Sequence, residues 1–66
     1  MVEKANIHVA QKGDFWEVEE EGNQEGIQKF SSQAAAMVAG RELAKEKNVD
    51  FIVHAKDGSI KLRDSY

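Results

Sequence analysis

Apolar and polar residues alternate through Ala5-Asn6-Ile7-His8-Val9-Ala10, break at Lys12-Gly13-Asp14, and alternate again through Phe15-Trp16-Glu17-Val18-Glu19. Period-two alternation on both sides of a glycine turn predicts a β-hairpin. With Lys12-Gly13 as the loop, Val9 opposes Trp16 and Ile7 opposes Val18, so these four apolar groups share one face. His8, Ala10, Phe15 and Glu17 share the other, where Phe15 is an aromatic on a polar surface. Glu20-Glu21-Gly22-Asn23 reads as a turn. The run from Gly26 to Phe30 reads as a third strand in which Ile27 and Phe30 fall out of phase, as a bulge or an early bend would cause.

After Ser31-Ser32 the period lengthens. Ala36, Ala39, Gly40, Leu43 and Ala44 recur at the spacing of one helical face, and the serines are good N-caps, which predicts a helix from about residue 32 to 47. Its inward stripe is small, so the helix can lie close on a sheet even though Gly40 costs about 1 kcal/mol against alanine. Asn48 suits the helix end. Phe51-Ile52-Val53 then opens a second hairpin, with Asp57-Gly58 as its turn. In that register Ala55 opposes Ile60, Val53 opposes Leu62 and His54 opposes Lys61. The expected architecture is α+β, in the order β-β-β-α-β-β, an antiparallel sheet with one helix packed on one face. Its expected core is the inward set of both hairpins, Ile60 included, with Phe30, Ala36, Ala39 and Leu43.

Sixty-six residues make a single domain, of a size that buries only about 60% of the surface its unfolded chain exposes. With 41% hydrophobic and 32% charged residues, and no apolar run near the roughly 20 residues a bilayer requires, a membrane span is not expected. The absence of cysteine removes thiolate chemistry and most structural zinc sites, and with no apolar leader at Met1–Asn6 the expected location is the cytoplasm. The net charge of −3 is uneven, with residues 1–26 carrying seven acids and two lysines and the other forty carrying seven bases and five acids. The first part sums to −5 and the second to +2, so any anion-binding surface belongs to the second part, and the acidic total argues against a dedicated nucleic-acid binder.

The stretch His54-Ala55-Lys56-Asp57-Gly58-Ser59-Ile60 with Arg63-Asp64-Ser65-Tyr66 resembles the ending of short bacterial proteins grouped as domain-of-unknown-function family 2188. The resemblance extends to Ile7-His8-Val9 and Trp16, and to Arg41-Glu42-Leu43-Ala44-Lys45 at the end of the helix. It implies the same β-β-β-α-β-β domain, and no activity.

Little in the chain points to catalysis. Ser65 or Ser32 with a histidine and Asp57 or Asp64 would supply a triad's residue types, but no nucleophile elbow accompanies them. Gly13, Gly22, Gly26 and Gly58 are too dispersed for a phosphate loop and read as turns. The run Glu19-Glu20-Glu21 with Glu25 reads as a solvated turn. His8 and His54 both fall on outward faces, where a metal ion shared with Glu17 is conceivable; solvent-facing rings paired with Glu17 and Lys61 are the plainer expectation. No cofactor is expected. A single covering helix leaves His8, Phe15, Ile52, His54, Lys61 and Arg63 on the sheet's second side. That mixture suits a non-enzymatic binding module contacting a protein or a second copy of itself, with a weak single-stranded nucleic-acid binder as the alternative.

Overall fold

A computed structural model describes residues 5–66, without the side chains of Asn23, Gln24 and Glu25. The elements are β1 (Ile7–Lys12), β2 (Phe15–Glu20), β3 (Asn23–Phe30), α1 (Gln33–Lys47), β4 (Asp50–His54) and β5 (Ile60–Ser65). The strands form one sheet in the order β3-β2-β1-β4-β5. The α+β class and the element order follow the pattern in the sequence, but the sheet is mixed rather than antiparallel, because β1 and β4 run parallel. Strands β1 and β3 are both antiparallel to β2, and α1 carries the chain back across the sheet, so β4 returns in the direction of β3 and hence of β1. The last hairpin therefore docks beside the first strand.

The first hairpin has the anticipated faces in a register displaced by two. Its loop is Gly13-Asp14, with Lys12 opposite Phe15, Val9 opposite Val18 and Gln11 opposite Trp16. A slip of two residues keeps every side chain on its side of the sheet, whereas a slip of one would have reversed them all. Gly13 has φ 62°, the left-handed conformation required at the first position of a type II′ turn. On β3, Gln28 and Phe30 lie opposite Val18 and Trp16, and the irregularity falls earlier, between the Val18 and Glu20 pairings. Ile27 and Phe30 are out of phase simply because they occupy opposite faces.

The second hairpin departs from expectation at its turn. Ala55 donates its N–H to the Ser59 carbonyl at 2.8 Å, and Gly58 donates to the Ala55 carbonyl at 3.0 Å. Gly58 has φ 91°, so the glycine rather than Asp57 takes the left-handed conformation, as in a turn closed by a bulge. Asp57 instead accepts from the Ser59 N–H at 3.0 Å and from its hydroxyl at 2.7 Å. Val53 still faces Leu62, but His54 faces Ile60, with a register shift between the two pairs. That shift turns Ile60 out of the expected core, and it is 55% exposed.

The core lies between α1 and one side of the sheet, where Ile7, Val9, Val18, Phe51 and Val53 meet Ala36 and Ala44, with Trp16, Phe30, Leu43 and Leu62 packed around them. Close approach is made possible by Gly40. A Cβ on that residue would stand 2.9 Å from both Phe51 Cε1 and Val9 Cγ2. The helix is capped at both ends: Ser32 Oγ accepts from the Ala35 N–H at 3.2 Å, and Asn48 is left-handed at φ 57°. The Val49 N–H reaches the Ala44 carbonyl at 3.1 Å, a Schellman closure that also buries Val49. Arg41 ties the C-terminal strand to the helix by donating to Asp64 Oδ2 at 2.9 Å and to the Tyr66 hydroxyl. Its guanidinium lies 4.9 Å from the centre of the Phe51 ring.

Candidate functional site

The side of the sheet opposite α1 carries no helix among the described residues. Pairing places Glu17 between Ala10 and Lys29, and His8 between Glu19 and Ile52. Arg63 lies beyond Ile52 on β5. Of the six residues expected here, His8 and His54 are in direct contact, while Phe15 stands at the loop end of β2, 49% exposed. Ile52 is on this side but is 3% exposed, so its role as an exposed contact is corrected to a buried one. Its strand is flanked by β1 and β5, and its ladder neighbours His8 and Arg63 carry long or broad side chains. Arg63 donates to Asp50 Oδ2 from Nε at 3.0 Å and from Nη2 at 2.6 Å, which offsets its charge locally. Lys61 sits at the register shift, where Ile60 takes the place opposite His54, and it lines a hollow with Gln11, Trp16, Gln33 and His54 itself.

The histidines form a chain of contacts. His8 Nδ1 is 2.8 Å from His54 Nε2, His8 Nε2 is 2.6 Å from Glu21 Oε2, and His54 Nδ1 is 3.3 Å from the Gly58 carbonyl oxygen. The ring centres are 5.1 Å apart with planes 18° from parallel. That separation exceeds the nitrogen–nitrogen distance by about the sum of the two ring radii, so the rings meet edge to edge and their facing nitrogens point at one another. A metal ion held by both rings needs lone pairs converging on a point beside them. Among the described residues no group of three histidine, cysteine or carboxylate side chains is arranged to hold a metal. The carboxylate that meets His8 is Glu21 rather than Glu17. The hydrogen bond from His8 holds the Glu21 carboxyl below its ordinary range; burial opposes this, and the Asn6 backbone adds to the lowering.

Beside the pair lies a hollow of about 410 Å³ whose lining includes His8, Ala10, Lys12, Glu19, Glu21, His54 and Lys56. Its charge is polarised along the strands. Glu19 stands opposite His8, and Lys12 lies four residues further along β1, about 13 Å away at strand spacing. The acidic run divides between the two sides, because Glu20 meets Lys47 at 3.2 Å while Glu21 meets His8; Glu25 is on β3, its side chain outside the description. Ser32 caps α1 and Asp57 braces Ser59, so two residue types of the conceivable triad have structural partners. Glu21 escaped the reading of the sequence because a turn residue has no place in a strand's alternation.

The family model for an uncharacterized protein conserved in bacteria, domain-of-unknown-function family 2188, matches residues 7–66. The chain belongs to this family. The residues that resemble family 2188 at the end of the helix and at the C-terminus meet in space, through Arg41 with Asp64 and Tyr66. A search of the curated proteins finds no match, nor does a search of the solved structures. No helix among the described residues is long and apolar enough to cross a membrane.

Proposed function

We propose that this member of family 2188 is a non-enzymatic binding module that engages a second copy of itself through the uncovered side of its sheet. The observation that carries this reading is the polarised hollow, with Lys12 and Lys56 toward one end and Glu19 and Glu21 toward the other. A two-fold axis lying across the strands brings the cationic end of one copy onto the acidic end of the next, which is the self-complementarity a symmetric dimer requires. Phe15 and Ile60 supply exposed apolar area on the same side. An interface of ordinary size takes about 800 Å² from each partner, nearly a fifth of the chain's 4426 Å² and so most of one side of the sheet.

Against a single-stranded nucleic acid stand the pairing of Arg63 with Asp50, the displacement of Lys61, and the alternation of Glu17 and Glu19 with the remaining cations. Light scattering across protein concentration tests the reading. It expects the mass to rise to twice that of the chain by about 1 mM, and Lys12→Glu to raise the midpoint about tenfold or more. A single-chain mass throughout, or low-salt binding of a labelled oligonucleotide at tens of micromolar with no dimer, contradicts it.

A further inference from the structure

We infer that His8 and His54 hold one proton between them and form a latch across the uncovered side, closed with that proton and open when the pair has lost it or gained a second. The hydrogens on the two rings can be counted. Glu21 Oε2 and the Gly58 carbonyl oxygen have no hydrogen to give, so the nitrogens facing them, His8 Nε2 and His54 Nδ1, must each carry one. The facing nitrogens, His8 Nδ1 and His54 Nε2 at 2.8 Å, need one hydrogen between them. Three hydrogens on two rings is one more than two neutral imidazoles possess. The extra positive charge lies against a carboxylate.

With one proton fewer, either the facing nitrogens present two lone pairs to each other or an outer contact loses its hydrogen. With one more, two N–H groups are driven together. Each change breaks one link, either between the rings or at an outer contact. The closed chain runs from the β2–β3 turn through β1 and β4 to the β4–β5 loop, so a broken link uncouples the two loops that border the hollow.

Among the described residues, charged groups surround the pair on every neighbouring element: Glu17 stands opposite Ala10 on β2, and Glu20 lines the same hollow but meets Lys47. Glu19 stands across from His8 on β2, and Lys12 lies further along β1. Asp50 and Arg63 on β4 and β5 are paired to each other. Lys56 and Asp57 lie in the loop after His54, and Asp57 is engaged by Ser59; Lys61 lies on β5 beyond Ile60. The charge bonded to the pair is that of Glu21.

As regulation of the dimer contact, the latch rests on the function proposed above; as chemistry, it is tested without it. Ring nitrogen resonances of uniformly ¹⁵N-labelled wild-type protein, followed against pH, count the hydrogens directly. The expected result is an interval in which three of the four nitrogens are protonated, bounded by two coupled steps. In H8N the same titration should reduce to one simple step for His54. Two rings that titrate independently, with the His54 curve the same in wild type and H8N, overturn the latch. Light scattering at the same pH values separates the two ideas: a monomer showing the three-hydrogen interval removes the dimer and leaves the latch, and a dimer with independent rings does the reverse.

Discussion

The two sides of this sheet are made from the same five strands and hold themselves together by opposite means. On the helix-covered side, Ile7, Val9, Val18, Phe51 and Val53 are buried against the small residues of α1, and their contribution grows with area removed from water. On the uncovered side the partners are polar and specific: Arg63 with Asp50, and Glu21 with His8 and His54. Exposed pairs of this kind are worth little to stability. The covered side therefore accounts for folding, and the polar placements on the other side are free to serve recognition.

The sharpest break in that comparison is between two phenylalanines. Phe51→Ala is expected to cost about 3–5 kcal/mol, comparable to the whole stability of about 3–10 kcal/mol for this length, and to leave the chain largely unfolded by circular dichroism. Phe15→Ala, on the other side, should stay within about 0.5 kcal/mol of wild type in urea denaturation. Equal losses would mean that the second side is also core.

Gly40→Ala sharpens the account of the covered side. Alanine gains about 1 kcal/mol in helix propensity, but its methyl would meet Phe51 and Val9 at 2.9 Å, and overpacking costs about 1–3 kcal/mol. A net loss near 1 kcal/mol is expected from the urea midpoint, and a gain would show that helix and sheet can part without cost.

The smallest effect belongs to Glu21. Its carboxyl is held below the ordinary value of 4.5, so its stabilising contribution is complete above that value and is lost as pH falls through the lower value of the folded state. With Glu21→Gln, acid unfolding monitored by Trp16 fluorescence should show a slightly shallower loss of stability below pH 4.5. An unchanged acid limb would mean that the contact with His8 contributes nothing.

What could be read from the residues was parity. Ile7, Val9, Trp16 and Val18 share a face in any register displaced by an even number, so the faces were legible although the first loop lies one residue further on and the register differs by two. Parity failed where the chain inserts a residue. Asp57-Gly58 suits both a tight two-residue turn and a longer one closed by a bulge, and only the second turns Ile60 outward and takes Lys61 out of register with His54. The parallel docking of β4 on β1 had no local signal, because it is decided by where α1 delivers the chain. Placing His8 and His54 on one outward side was possible from alternation; their contact was not, since it depends on that docking, and the burial of Ile52 depends on it too.

We propose that the uncovered side meets its own copy, end against opposite end. Light scattering of K12E and E19K, separately and then in equal amounts, tests it most directly. Single-chain mass is expected for each variant alone and a return of the double mass on mixing, because opposite charges then face each other at both ends of the interface. Mixed variants that remain monomeric at a concentration where the wild type is a dimer would contradict it.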